Sequence, residues 1–104
     1  MDIINNNIKE WCIIKDELLD ITHFDETFLR EDLFQAKKND YIIDVGWYEG
    51  INKFMIILVK KLDWKNPIVQ IQCDSYKEIL LGINLCIKYT EEILYNNANQ
   101  GLKD

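Results

Sequence analysis

Residues able to do nucleophilic or acid–base chemistry are few in this chain of 104 residues. His23 is the only histidine and Ser75 the only serine, and no Ser/His/Asp set can be assembled around them. Ser75 is followed three residues later by Glu78, which is the spacing of a helix-capping box and explains the serine as a helix start. We therefore expect no catalytic residues and no enzyme.

The three cysteines, Cys12, Cys73 and Cys86, are far apart in the chain. They have neither the close pairing of a zinc site nor the spacing of a redox Cys-x-x-Cys motif. A nucleophile pair of Cys12 or Cys73 with His23 would need the fold to bring the two side chains together. We expect reduced and mostly buried thiols instead.

Metal and nucleotide sites have weak support. Asp16 and Asp20 are four residues apart and, with Glu17, would share one side of a helix, but no loop of alternating oxygen ligands surrounds them. Gly46 and Gly50 lack the lysine and the helix start that phosphate-binding loops use. The sequence therefore predicts no metal and no cofactor, and a solvated acidic surface around Asp16.

The negative charge is concentrated in one stretch. The chain has a net charge of −6, and between residues 16 and 32 seven acids accompany the single base Arg30, so this stretch carries all of it. An acidic domain repels nucleic-acid phosphates and anionic membranes and attracts basic surfaces. We expect no nucleic acid and no membrane among the partners, and candidate contacts with a basic protein at Asp16, Glu17, Asp20, Asp25, Glu26, Glu31 and Asp32.

Aromatic residues beside acids give a second set of candidate contacts. Tyr48 precedes Glu49 and Trp64 follows Asp63, and aromatic residues of this kind anchor protein interfaces. Trp64 also lies among Lys60, Lys61 and Lys65, but the cluster is small and Asp63 interrupts it. We interpret it as a solvated turn and not as a nucleic-acid platform, and assign Tyr48, Glu49 and Trp64 to a protein partner.

The elements that position these residues centre on residues 41–60, which predict a β-hairpin. The arms YIIDVGWY and KFMIILVK are rich in β-branched and aromatic residues, and EGIN between them supplies the Gly and Asn that a reversal needs. Tyr41, Ile43 and Val45 share an apolar side, which we expect to lie against helices. Asp44 lies among apolar residues, and if buried it needs a partner, such as a backbone N–H or a lysine.

Residues 68–96 predict a strand followed by a long helix. Residues 68–73 alternate between apolar and polar side chains after Pro67, which cannot donate a ladder hydrogen bond and marks a strand start. A helix from 75 to about 96 follows the capping box with apolar residues at helical spacing. Gly82 inside that helix is expected to allow a close approach to the sheet.

For the N-terminal forty residues, the spacing of apolar residues predicts helices. Apolar residues from Ile4 to Leu19 recur with a period that predicts a first helix, with Asn5 to Asn7 as its cap. Residues 25–37 fit a second helix, with Asp25 and Glu26 at its start. An alternative stays open here: residues 27–34 form a strand that pairs with 41–48 across the turn AKKND.

The fold class that follows is α+β, in one domain covering residues 1–104. We expect an antiparallel sheet of three to four strands, a meander over about 41–73, packed by an N-terminal helix or helices and by the C-terminal helix over about 75–96. The N-terminus lacks the basic start and apolar run of a secretory signal, and no apolar segment approaches about 18 residues. We expect a cytoplasmic protein.

The run IIDVGWY, the apolar strand FMIILV and the connection DWKNP, followed by a strand and a closing helix, form a recognisable series. Over residues 41–94 this series resembles small bacterial immunity proteins of polymorphic-toxin and contact-dependent growth inhibition systems. Neither the Asp-Val-Gly-Trp-Tyr run nor the Trp-x-x-Pro motif is a catalytic signature.

The resemblance implies a stoichiometric antidote that stays in the cytoplasm. Such a protein binds the C-terminal domain of a toxin, often a basic nuclease, and covers its active site. The alternative is an acidic adaptor that mimics nucleic acid and inhibits a DNA- or RNA-binding protein. Both functions use the acidic stretch to bind a basic partner and require no cofactor.

Overall fold

The computed structural model describes residues 6–18 and 32–102. In that part of the chain, a short 3-10 helix and five strands precede one long α-helix, an order typical of α+β domains. The elements are the 3-10 helix Asn6–Glu10, β1 Cys12–Asp16, β2 Phe34–Lys38, β3 Tyr41–Tyr48, β4 Lys53–Lys60, β5 Val69–Cys73 and α1 Tyr76–Leu102.

The strands form one antiparallel sheet in chain order, from β1 at one edge to β5 at the other. β3 and β4 pair without interruption from Tyr41 opposite Lys60 to Tyr48 opposite Lys53, so the predicted hairpin is confirmed. Asn52 closes its turn with a φ of 56°, a conformation that Asn adopts more readily than most residues. The α+β meander is confirmed too, with five described strands where we expected three to four.

The main core lies between one face of the sheet and α1. The predicted apolar side of β3, Ile43 and Val45, is fully buried there, as is Ile56 of β4. On α1, Ile79 and Ile83 supply the facing side chains at helical spacing. Full burial of such a side chain contributes about 1.5–3 kcal/mol, so this layer accounts for much of the stability.

The opposite face of the sheet has a smaller apolar cluster. Ile42, Ile57 and Val59 are buried there, and Met55 packs against them. β4 therefore contributes buried side chains to both faces, in keeping with its unbroken apolar sequence. Edge strand β5 keeps the predicted alternation, because Gln70 and Gln72 are exposed while Cys73 is buried.

The start of α1 is fixed by the predicted cap. The backbone N–H of Glu78 donates to Ser75 Oγ at 3.2 Å, and the Glu78 carboxylate accepts from the N–H of Asp74 at 3.2 Å. Two N–H groups at the helix start are thus satisfied. Gly82 faces the sheet: a Cβ atom there would overlap Ile56 Cδ1 and lie 3.4 Å from Ile71 Cδ1, so the expected close approach is confirmed. The helix continues to Leu102, beyond the predicted end.

The helix predicted over residues 4–19 is wrong for the described part of that range. Residues 6–10 form a 3-10 helix and Cys12–Asp16 is β1, paired with β2. A bulge between Ile13 and Lys15 inserts Ile14 into the strand. A bulge shifts the two-residue alternation by one position, so the apolar spacing imitates a helix.

The helix predicted over residues 25–37 is wrong from Phe34 onward, because β2 occupies Phe34–Lys38. The strand alternative, residues 27–34, named the right pairing partner, since β2 pairs with β3, but it shares only Phe34 with β2. Its turn is shorter than AKKND: Lys38 pairs with Tyr41, which leaves Asn39 and Asp40 as the loop. Asn39 takes a φ of 54° there, which lets the chain reverse in two residues. Residues 27–31 of the predicted strand lie outside the described residues.

Within residues 6–18 and 32–102, no helix combines the length and the apolar character that crossing a bilayer requires.

Candidate protein-binding surface

Charged side chains divide between the two ends of the sheet. At the end with the β3–β4 turn lie Asp16, Glu17, Asp32, Glu49 and Asp74, which we call the acidic end. At the end with the β2–β3 turn and the β4–β5 connection lie Lys37, Lys38, Lys60, Lys61 and Lys65, which we call the lysine end. The acidic end also holds Lys15 and Lys53, and the lysine end also holds Glu10, Asp40 and Asp63.

Three of the predicted partner-binding carboxylates meet where β1 ends and β2 begins. The Glu17 N–H donates to the Leu33 carbonyl at 2.9 Å, which holds the two chain segments together. Lys15 Nζ lies 3.7 Å from Glu17 Oε1 and 3.9 Å from Asp32 Oδ2. One lysine thus lies between two carboxylates from segments that are 15 positions apart in sequence.

Asp16 is mainly a structural residue. Its Oδ1 accepts a hydrogen bond from the Leu18 N–H at 2.9 Å, the pattern of an Asx turn that redirects the chain after β1. The Leu18 carbonyl in turn accepts from the Tyr76 hydroxyl at 2.8 Å, which ties the end of β1 to the start of α1. Burial, and the charge of Asp16, raise the pKa of Tyr76, so the hydroxyl keeps its proton and donates.

A groove on the sheet face opposite α1 adds residues that the sequence did not assign to the site. It is lined by Ile14, Lys15, Asp32, Phe34, Gln35 and Asp44. Strand register produces it, because Lys15 lies opposite Gln35 and Gln35 lies opposite Asp44. The groove therefore combines two carboxylates, one lysine and one amide beside an apolar wall.

Asp44 is a half-buried acid on the wall of this groove. Burial raises its pKa above the usual value, the charge of Asp32 raises it further, and a hydrogen bond with the Gln35 side chain opposes both. We expected a backbone N–H or a lysine as its partner, and the structure provides the Gln35 amide instead. The sequence predicted that a buried Asp44 needs a partner, but only the β2–β3 register shows that this partner is Gln35.

Tyr48 and Glu49 lie at the acidic end, in the β3–β4 turn. Tyr48 is 38% exposed although it ends a strand that is otherwise mostly buried. The turn is closed by the Ile51 N–H donating to the Tyr48 carbonyl at 3.2 Å and by the Asn52 N–H donating to the Glu49 carbonyl at 3.1 Å. An exposed aromatic ring and a carboxylate thus lie on a short, hydrogen-bonded turn.

Trp64 lies at the lysine end, far from Tyr48 and the other described candidates. The eight residues of β4 separate it from Tyr48, a distance of about 24 Å at roughly 3.4 Å per residue. It is 45% exposed and lies beside Leu62, which is 64% exposed. A partner that contacts both Tyr48 and Trp64 must therefore span the length of the sheet.

Four of the predicted partner-binding residues lie outside the described residues: Asp20, Asp25, Glu26 and Glu31. His23 does as well.

The two buried cysteines, Cys73 and Cys86, are held as protonated thiols. Burial raises the pKa of Cys73 to about 11 and that of Cys86 to about 12, so both keep their protons near neutral pH. Cys12 is exposed on edge strand β1, which differs from the expectation of mostly buried thiols for this one residue. Among the residues that the structure describes, no group of three His, Cys, Asp or Glu side chains is placed to hold a metal ion.

Comparison with known proteins gives one partial likeness to report. No protein-family model matches the chain, and no solved structure matches it significantly. The chain is similar to DNA polymerase III subunit delta of Buchnera aphidicola subsp. Acyrthosiphon pisum (strain APS), with 33% identity over 91 residues. The match covers 84% of this chain but 28% of that protein, so the chain spans little more than a quarter of its length.

Proposed function

We propose that this chain is an immunity protein that binds a toxin domain and neutralises it by covering its active site, without turnover. The proposed partner is a basic nuclease domain, and the proposed compartment is the cytoplasm. The observation that carries the proposal is the gathering of carboxylates from separate segments at the acidic end. Glu17, Asp32 and Glu49 come from three different parts of the fold.

The electrostatics of the groove favour a cationic ligand. Burial raises the pKa of Asp44, and the negative charge of Asp32 raises it further. A lysine or arginine of a partner placed between them would relieve that repulsion and form charge-assisted hydrogen bonds. A basic nuclease cleft, built to hold phosphates, presents such side chains.

The turn beside the groove provides a contact of a different kind. Tyr48 combines an apolar ring with a hydroxyl, so it can lose water on binding and still donate a hydrogen bond. Glu49 next to it extends the negative surface. Charge would then speed association, and burial of the Tyr48 ring would slow release.

The direct test is rescue from a toxin. The gene directly upstream is expected to encode a large secreted toxin, and its C-terminal domain would be expressed with and without this chain. Survival of the cells and co-purification of the two chains at equal stoichiometry are the expected results. Survival without co-purification, or substrate consumption by this chain alone, would contradict the proposal.

The acidic end is tested by charge reversal. Asp32→Lys combined with Glu49→Lys should lower the association rate with the toxin domain about 10- to 100-fold at low salt and should weaken its salt dependence. Both side chains are exposed, so the fold should tolerate the change. Association is measured by stopped-flow fluorescence over a series of salt concentrations.

A matched control separates the effect of charge at the acidic end on the association rate from the effect of net charge. Asp63→Lys combined with Glu92→Lys makes the same change in net charge at exposed positions away from the acidic end. It should leave most of the association rate intact. Equal losses in the two variants would mean that net charge alone is responsible. Reversal of Asp20, Asp25 and Glu26 together tests the remaining carboxylates of the stretch in the same assay.

The second candidate is an acidic adaptor that mimics nucleic acid and inhibits a DNA- or RNA-binding protein. The partial likeness to a DNA polymerase III subunit favours a partner in DNA metabolism. Titration with a fluorescent single-stranded oligonucleotide distinguishes both proposals from direct DNA binding. The immunity protein and the acidic adaptor are both expected to have no affinity for the oligonucleotide. Salt-dependent binding that quenches the fluorescence of Trp64 would instead indicate a nucleic-acid site at the lysine end.

A further inference from the structure

β5 is an edge strand of the sheet that the described residues form. It pairs with β4 through five residues, and among the described residues no strand lies beyond it. Alternate N–H and C=O groups of an edge strand point away from the sheet and can pair with another strand. The outer side of β5 is therefore available for hydrogen bonding.

The two edges of the sheet differ in how they are protected. β1 has a bulge at Ile14 and the charged residues Lys15 and Asp16, features that discourage pairing with another chain. β5 has the sequence VQIQC, with no charge, no proline and no interruption of its register with β4. Only the β5 edge keeps the properties of a strand that accepts a partner.

The core is incomplete beside this edge. Val69 and Ile71 are half-buried on the core side of β5, whereas Ile56 and Leu58 of the neighbouring strand are fully buried. Above them, Leu85 of α1 is 56% exposed. Leu85 follows Gly82, whose Cβ position lies 3.4 Å from Ile71 Cδ1, by three residues and is therefore on the neighbouring part of the helix surface. The open edge and an exposed apolar helix surface thus adjoin each other.

We propose that β5 pairs antiparallel with β5 of a second copy of this chain, about a two-fold axis at Ile71. The sequence of β5 is nearly symmetric about that residue. The two-fold places Gln70 of one copy opposite Gln72 of the other, and Val69 opposite Cys73. Like residue types therefore meet on each face of the joined sheet.

This pairing is free of electrostatic conflict. No charged side chains face each other across the two strands, and the Gln70 and Gln72 amides can both donate and accept hydrogen bonds. The axis is perpendicular to the sheet, so both α1 helices lie on the same face of the continuous sheet. Val69, Ile71 and Leu85 of each copy would become more buried. An isologous contact of this type closes on itself and gives a dimer.

The register is tested with two charge variants of exposed residues. Gln70→Lys with Gln72→Lys places like charges opposite each other twice in the interface, so sedimentation should show a monomer. Gln70→Lys with Gln72→Glu places opposite charges there, so the dimer should persist. The wild-type chain should be a dimer in sedimentation equilibrium over a concentration series up to several hundred micromolar.

Two measurements keep the result interpretable. Circular dichroism and thermal unfolding confirm that each variant is folded, and Ile14→Lys on the bulged edge should leave the dimer unchanged. A monomeric wild-type chain would overturn the proposal, whether or not the edge accepts another protein. Equal behaviour of the two double variants would overturn the register. Neither outcome depends on toxin binding, so this test is independent of the proposed function.

Discussion

Gly82 allows α1 to lie close to the sheet. Gly82→Ala would gain about 1 kcal/mol of helix propensity but would place a Cβ against Ile56 Cδ1, where overpacking costs about 1–3 kcal/mol. Because Ile56 is fully buried, its side chain has little room to move. We expect the free energy of unfolding to fall by about 1 kcal/mol, measured by urea denaturation.

Removing the opposing methyl group should reverse that effect. In an Ile56→Val background, which lacks Cδ1, Gly82→Ala should be neutral or stabilising. Gly50→Ala is the matched control, since nothing lies within 4 Å of a Cβ at that position. An equal loss of stability for Gly82→Ala in both backgrounds would show that the contact with Ile56 is not the cause.

The cysteines allow a second test at the scale of single residues. Cys12 is exposed, whereas Cys73 and Cys86 are buried with raised pKa values of about 11 and about 12. At pH 8 a thiol reagent should therefore modify one cysteine in the folded protein and three in denaturant. The two buried thiols should react at least about 100-fold more slowly than Cys12, because the reagent reaches them only when the fold opens. Rapid modification of all three would show that the core of α1 and β5 opens readily.

At the scale of elements, the β4–β5 connection has an unusual turn. Lys61 and Leu62 have φ values of 55° and 61°, and the Asp63 N–H donates to the Lys60 carbonyl at 3.1 Å. Left-handed conformations cost most residues about 1–2 kcal/mol, and Leu has no side-chain hydrogen bond to offset this. The turn is also held by the Lys61 N–H donating to the Asp40 carbonyl at 2.8 Å. The sheet thus maintains a strained turn that presents Leu62 to solvent.

Leu62→Gly should raise the free energy of unfolding by about 0.5–1 kcal/mol. Glycine adopts this conformation without strain, although its greater freedom in the unfolded chain offsets part of the gain. Asn52→Gly is the control, because Asn52 has a φ of 56° and Asn already tolerates it. A destabilised Leu62→Gly variant would mean that the exposed leucine makes a contact that matters more than its backbone strain.

The elements that the sequence predicted well have an undisturbed local signal. The 41–60 hairpin has β-branched and aromatic arms on either side of a turn, and β5 and α1 each keep one period from end to end. β1 was missed because its bulge breaks the alternation. β2 was placed ambiguously because Lys37 and Lys38 resemble a polar turn, and only pairing with β3 makes them part of a strand.

At the scale of the whole molecule, Asp44 links charge distribution to stability. Its pKa is raised from the ordinary value of 3.8 in the folded state, so the charged form is disfavoured there. Asp44→Asn removes that unfavourable charge and should raise the free energy of unfolding at pH 7. The gain should be complete above the raised pKa and should disappear below pH 3.8, where the aspartate is protonated in both states.

The same variant should weaken binding if the groove lined by Asp32 and Asp44 holds a basic side chain of the proposed partner. Greater stability together with a slower association rate would show that the carboxylate is retained for binding at a cost in folding. Urea denaturation at pH 7 and pH 3 and association kinetics with the toxin domain give the two values. A variant that is less stable at pH 7 would show that the hydrogen bond with Gln35 outweighs the repulsion from Asp32.

The sequence by itself determined the α+β class, the central hairpin, the capped C-terminal helix and the concentration of acids between residues 16 and 32. Those features are local, since they depend on spacing and residue type within one segment. Only the tertiary structure decided that Asp44, Gln35 and Lys15 line one groove and that Trp64 lies at the opposite end from Tyr48. Strand order and register bring distant segments together, and one-dimensional spacing does not record either of them.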